Sequence, residues 1–273
     1  MRVAEATNIA FFSFLILLAW MRPLAPGRRA QATAWGFGVI SVVLGVQLLG
    51  RLLEPLPTAV IRDWLPAPLL LIAYWTAGRL FTSPNEKLQN RLARFDQEVL
   101  GSLKQYRAGA GVARTIAACL EFAYMLCYAL VPFGIGILYS AHMRRYADEF
   151  WMIVLSSVYL CYGALPFAQT LPPRMLPAGG EPILPPTKFR QMNLWIIRHG
   201  SIQVNTFPSA HVATAFSVSL VLLHLLPEAG LAFLLVSISI AVGAVLGRYH
   251  YAADAIIGAA VAIVVFLIHV IFC

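Results

Sequence analysis

Two histidines and an aspartate in the last third of this 273-residue chain are spaced for chemistry. His211 lies in "NTFPSAHVATAF", residues 205–216, and His250 in "GRYHYAADAIIG", residues 247–258. In a helix beginning near Tyr249, His250 and Asp254 share one face. The carboxylate can then hold an imidazole N–H and leave the other ring nitrogen as nucleophile or base. Ser209 and His211 fall in the first turn of the apolar run that follows Pro208, where unpaired backbone N–H groups and the helix dipole favour an anion. With Arg248 alongside, one histidine can attack while the other protonates a departing oxygen. Such a basic cradle suits phosphoryl transfer, which demands mainly positioning and charge stabilisation. The scheme requires no metal and no other cofactor.

The elements that must carry these groups are membrane spans. The chain is 60% hydrophobic and 12% charged, with mean hydropathy +0.75, too little polar surface for a soluble globule of this size. A helix crosses the bilayer with about 20 apolar residues. Eight segments come near that length: 7–21, 33–53, 64–82, 112–140, 150–171, 209–226, 229–249 and 252–272. No alternation of the kind barrel strands need is present, so the expected class is all-α, a polytopic helical bundle. In that map the sixth span leaves the interface and the seventh returns to it. His211 and His250, 39 residues apart, can therefore meet across a helical hairpin. The net charge of +8 fits an anionic bilayer as partner, not nucleic acid, and leaves the oligomeric state open.

Two stretches do not span. In residues 83–110, Ser83, Pro84 and Glu86 read as N-cap, first-turn proline and capping-box partner. Leu88, Leu92, Phe95, Val99, Leu103 and Tyr106 form one stripe, with Lys87, Arg91, Arg94, Lys104 and Arg107 off it. The pattern predicts an amphipathic helix lying in the headgroup plane, or a cap over the bundle's end. The second stretch, residues 172–208, is dense in proline and reads as an active-site loop. Its Arg174, Lys188, Arg190 and Arg198 make it a lid for something anionic.

Other polar residues read more plainly. Glu121 sits inside a span, where an interhelical hydrogen bond or a role in shaping lipid access is expected. His224 and His269 fall at far span ends, His142 and His199 in loops. Cys119, Cys127, Cys161 and Cys273 lack CxxC spacing and read as packing residues, and the aromatics of "FAYMLCYALVPF" as packing and interface anchors.

"FPSAH" followed by "RYHYAAD" resembles the second and third signature motifs of the type 2 phosphatidic acid phosphatase superfamily, P-S-G-H and S-R-x5-H-x3-D. The resemblance implies a metal-independent lipid phosphatase in which His250 attacks phosphorus and becomes a phosphohistidine. Asp254 would orient it, and His211 would act as general acid. It also implies a six-span core over residues 64–273, preceded by two extra spans in residues 1–63. Three departures stand out. Ala210 replaces the motif's glycine, and Ala244 stands where the third motif has its arginine, leaving Arg248 as substitute. The first motif, K-x6-R-P, has no literal match, so Arg174, Lys188 and Arg198, with Ser209, are the expected phosphate contacts. The short R-x-H-x3-D spacing is also similar to that of sphingolipid and inositol phosphorylceramide synthases, so transfer to an alcohol stays open beside hydrolysis of a lipid phosphate or prenyl diphosphate. A non-catalytic membrane scaffold is the third reading.

Fifteen of the 20 Lys and Arg fall on the site-bearing face, which by the positive-inside rule puts the site in the cytosol. Many members of the resembled family act on the outer face of a membrane such as the bacterial inner membrane, and both orientations stand.

Overall fold

The structure, a computed structural model, describes residues 1–52, 55–105, 110–176 and 183–272. Helix accounts for 81% of it, and no strand occurs among the described residues. The helices are α1 (Val3–Met21), α2 (Pro26–Leu49), α3 (Pro55–Trp64), α4 (Pro66–Arg79), α5 (Glu86–Gln105), α6 (Ala110–Met125), α7 (Leu130–Ser140), α8 (Ala147–Ala164), α9 (Lys188–Gly200), α10 (Ala210–Leu225), α11 (Pro227–Leu246) and α12 (Ala252–Phe272). Five candidate spans are long and apolar enough to cross a membrane: α1, α2, α3 with α4, α11 and α12. A bent pair, Gly111–Tyr128 with Leu130–Ser140, makes a sixth if it is one span. The chain is an all-α, polytopic membrane bundle.

One expectation is corrected. The apolar run 112–140 is not one straight helix: a 3-10 turn at Leu126–Tyr128 separates α6 from α7, and the two axes differ by 70°. Pro132, third residue of α7, explains where the new helix can begin. Proline cannot supply the N–H that an uninterrupted helix would need there, but it is tolerated in a first turn. The expected spans 150–171 and 209–226 are α8 and the 16-residue α10, and neither is among the five candidates. They form the buried middle of the bundle. Phe150, Trp151, Val154, Leu155, Val158 and Cys161 of α8 are closed off almost completely, as are Ala213, Val218 and Leu222 of α10. A helix largely enclosed by other helices meets little lipid, so the length and hydropathy of a solitary span are imposed on it only weakly.

Lipid tails are as apolar as leucine, so burial alone does not draw these helices together; close packing and interhelical hydrogen bonds do. The phenol of Tyr159 in α8 donates to Asn8 Oδ1 in α1 at 2.7 Å, and its ring stacks on Phe11 with centroids 4.0 Å apart. Trp151 Nε1 donates to the carbonyl of Asp63 at 2.6 Å. Phe12 and Leu15 of α1 share one core with α8 and α10, so the first two spans pack directly on the rest. Two arginines in the first turn of α2 tie the helix ends together: Arg28 donates to the carbonyls of Arg79, at 2.6 Å, and Phe81, and Arg29 to those of Ala19, Arg22 and Leu24. Both arginines thus satisfy carbonyls left over at the ends of α1 and α4.

Helix α5 caps the bundle on the end that carries the motifs. It starts two residues later than expected: Asn85, not Ser83, caps it, its Oδ1 accepting from Leu88 N at 3.0 Å. Leu92 and Leu100 are buried, and between them so is Asp96, while Phe95 and Val99 are exposed. The side chains of Leu103, Lys104, Tyr106 and Arg107 lie outside the described residues. The expected loop 172–208 contains α9, whose buried face is made by Arg190, Asn193 and Ile197. Two polar residues out of three hide that helix from an apolar periodicity.

The α10–α12 crossing is closed to side chains. A Cβ on Gly258 would lie 2.3 Å from the carbonyl oxygen of Ser209, a backbone atom that cannot rotate away. Gly258→Ala is therefore expected to cost about 1–3 kcal/mol through overpacking, read as a lower thermal midpoint in detergent. An unchanged midpoint would show that the helices part without cost.

Candidate active site

His211 and His250 are brought together by two short turns. Ser209 is the N-cap of α10, its Oγ accepting from Val212 N at 3.4 Å, so Pro208 precedes the cap and is not in the first turn. Ser209 is fully buried, and its own N–H donates to the carbonyl of Asp254 at 3.0 Å. Its hydroxyl is thus spent on the helix and does not line the cavity described below. His211 follows, second residue of α10, ringed by Tyr74, Tyr124, Tyr128 and His250 with ring centroids 5.6–6.3 Å away.

The return turn from α11 to α12 carries His250. Helix α11 ends as Gly247 N donates to Gly243 O, and Tyr249 N and His250 N both donate to Ala244 O, at 2.9 and 3.0 Å. Arg248 takes the left-handed conformation, φ 62°, that such helix ends require. Helix α12 starts at Ala252, later than the sequence implied, so His250 and Asp254 are not two residues of one helix face. Asp254 is instead the third residue of α12, and its Oδ2 reaches back to the N–H of Tyr251 at 3.1 Å, as in a capping box. The same oxygen lies 3.3 Å from His250 Nδ1, and the carbonyl of Thr206 lies 3.1 Å from it. Both neighbours can only accept, so Nδ1 carries the proton and Nε2 presents a lone pair. That Nε2 faces His211 Nδ1 at 3.4 Å.

A cavity of about 40 Å³ opens in front of the two rings, by a measure in which one water needs about 10–15 Å³. Tyr74, Tyr124, Tyr128, Tyr162, Arg174, Asn205, His211 and His250 are among its walls. Arg174 enters it from the 3-10 turn Pro173–Met175, with Nη1 3.4 Å from the Tyr249 carbonyl. Among the described residues its guanidinium has no carboxylate partner. Burial pulls the Arg174 guanidinium below its ordinary value, yet arginine keeps its charge in proteins. A positive group facing two imidazoles in an enclosed space favours an anion.

Not every expected contact is here. Arg248 is buried but points to α5, where its Nη1 donates to Asp96 Oδ2 at 2.5 Å, and it does not line the cavity. Asp96 Oδ1 accepts from Ala252 N at 2.7 Å, so one carboxylate grips the turn on both sides of His250. Lys188 and Arg198 are exposed on α9, away from the cavity, and His199 is exposed against Trp195. Arg190 has a structural task. It donates to Glu121 Oε1 at 2.9 Å and to the carbonyl of Gly247 at 3.0 Å; Asn193 and the Tyr249 phenol complete the shell of Glu121 at 2.8 and 2.7 Å. Burial, with Glu121 beside it, pushes the Tyr249 phenol well above its ordinary range, so it remains a donor. Glu121 thus makes the interhelical hydrogen bonds expected of a carboxylate within a span.

The sequence reading missed the cavity's tyrosines and Asn205. Tyr124 and Tyr128 are four apart, a spacing that places two phenols on one helix side, but so does ordinary packing. Tyr74 is fixed by Ser201, hydroxyl to hydroxyl at 2.7 Å. Among the described residues no group of three or more His, Cys, Asp or Glu is placed to hold a metal ion.

Removing one partner of a buried ion pair such as Arg248–Asp96 costs about 3–5 kcal/mol. Arg248→Ala and Asp96→Ala are each expected to destabilise the protein to that degree, and the double variant by clearly less than their sum. Thermal unfolding in detergent measures it, and strict additivity would show the two residues to be independent.

No curated protein and no solved structure matches the chain. The PAP2 superfamily profile matches residues 90–268, beginning within α5 and ending within α12. That match covers most of the chain and contains both histidines and Asp254, so the geometry and the comparison meet on the same residues: the protein is a member of the PAP2 superfamily.

Proposed function

We propose that the protein hydrolyses the terminal phosphoryl group from a membrane lipid, a lipid phosphate monoester or a prenyl diphosphate, through a phosphohistidine. The carrying observation is that His250 Nε2, His211 and Arg174, which has no carboxylate partner among the described residues, face one cavity. Phosphatase-type activity on phosphate esters is what membership of the superfamily brings. His250 Nε2 attacks phosphorus in line with the departing ester or anhydride oxygen, forming the N–P bond as the P–O bond breaks. His211, as imidazolium beside the anionic substrate, gives its proton to that oxygen. Water then attacks the phosphohistidine, returning its proton to His211 and releasing phosphate. Asp254 and the Thr206 carbonyl keep the His250 ring oriented throughout, and Arg174 balances charge on the phosphoryl oxygens.

Lipid as the substrate class rests on a second cavity. An apolar groove of about 460 Å³ runs from His211 and Thr214 past Tyr74, Tyr128 and Tyr162 to Leu70, Leu71, Val131 and Pro132. It opens beside the bend between α6 and α7 and shares His211, Tyr74, Tyr128, Tyr162 and Ser201 with the polar cavity. A molecule with a phosphate at one end and a hydrocarbon chain at the other fits that sequence of walls.

Phosphate release from lipid phosphates is expected to persist in EDTA; loss of activity that Mg²⁺ restores would contradict the reading. His250→Ala is expected to abolish release from every substrate. His211→Ala should recover much of the bond-breaking step with p-nitrophenyl phosphate, whose leaving group needs little protonation. Acid-quenched protein is expected to carry ³²P in the wild type and not in His250→Ala, and equal labelling of the two would remove His250 as the nucleophile.

A further inference from the structure

Asn205 is the one residue among those described whose side-chain amide is buried with neither its nitrogen nor its oxygen hydrogen-bonded. Only 6% of the residue is exposed, and it lines the cavity that holds His211, His250 and Arg174. The backbone around it is fixed. Its N–H donates to the Thr170 carbonyl at 2.8 Å, and the neighbouring Thr206 bonds to Thr170 through their hydroxyls at 3.0 Å. Thr206 in turn supplies the carbonyl that holds His250 Nδ1. The φ of Asn205 is 59°, a left-handed conformation that asparagine adopts more readily than most residues. An unpaired buried amide costs about 1–3 kcal/mol, so a rigid segment that presents both of its polar atoms to a cavity is matched to a ligand with both a donor and an acceptor.

The chemistry of such a ligand is restricted. The Nδ2 group donates, and any phosphoryl oxygen can accept. The Oδ1 atom accepts, and of the phosphate classes only one that still bears an ionisable hydroxyl, a P–OH, can donate to it. A phosphodiester has none. We propose that Asn205 is a substrate-binding residue that selects a terminal phosphoryl group, one of a monoester or of the end of a diphosphate, by pairing Nδ2–H with a P–O oxygen and Oδ1 with the P–OH. Together with Arg174 it makes the phosphate cradle that the missing first motif leaves unassigned. The inference rests on the reading above for the reaction, but its binding step stands apart from turnover.

Purified full-length protein in detergent tests it by calorimetric binding of inorganic phosphate, methyl phosphate and dimethyl phosphate, the last lacking a P–OH. Asn205→Gly deletes the amide and keeps the left-handed backbone unstrained. It is expected to weaken inorganic and methyl phosphate about 10-fold or more, the loss of charge-assisted bonds, and to weaken dimethyl phosphate, which can pair with Nδ2–H alone, by clearly less. Asn205→Asp is isosteric and sets a carboxylate against the phosphate, so a loss of about 100-fold is expected. Both variants should match the wild-type thermal midpoint without phosphate, and if Asn205→Gly does not, the isosteric variant carries the test. Inorganic phosphate affinity within two-fold of wild type in a folded variant overturns the inference, as does an equal loss for dimethyl phosphate or a wild type that binds none of the three. Asn205-dependent phosphate binding in a protein that hydrolyses no lipid phosphate would leave this inference standing and remove the proposed reaction.

Discussion

Everything at the site depends on one backbone hydrogen bond, from the Ser209 N–H to the Asp254 carbonyl at 3.0 Å, and on the absence of a side chain at Gly258 that lets it form. The bond joins the first turns of α10 and α12. Each of those turns has its own local logic, a serine N-cap in one and an aspartate reaching back to the N-cap N–H in the other. Neither knows of the other. Only when the two helix starts are sewn together does His211 come to face His250 and the Thr206 carbonyl come to hold the His250 ring.

The return turn that carries His250 is held from two further sides by buried carboxylates. Asp96 reaches down from α5 to Arg248 and Ala252, and Glu121 reaches across from α6 to Arg190, Asn193 and Tyr249. Buried charges are costly unless each is paired and hydrogen-bonded. Both clusters meet that condition. Their geometry is correspondingly narrow, which suits a turn whose imidazole must point one way. Lipid offers no hydrophobic drive between helices, so such polar contacts, with close packing, are what make a bundle specific.

Several features could be read without the fold. The hydropathy fixes a polytopic helical bundle, and the hairpin from "FPSAH" to "RYHYAAD" must bring its two ends back to one face because spans alternate direction. The amphipathic α5 follows from its leucine spacing. Other features were not legible, and the reasons are physical. Arg248 reads as a phosphate ligand because its type and position suit one, yet its guanidinium is turned to Asp96, a residue 152 positions away. Helix α9 is invisible to apolar periodicity because its buried face consists largely of Arg190 and Asn193, whose partners lie on other helices. The helix starts at Asn85 and Ala252 shift by two or three residues because several capping residues compete locally, and tertiary contacts choose among them.

The sequence by itself therefore determined the solvent the chain lives in, the alternation of its spans and the residue types available at one end of them, since these follow from hydropathy, length and chain order. The tertiary structure alone decided which cation faces the cavity, which tyrosines wall it and which polar group there has no partner among the described residues. Arg174, Arg190 and Arg248 are chemically alike. Among the described residues, what separates them is whether a carboxylate from a distant helix lies within hydrogen-bonding reach, and no local pattern encodes that distance.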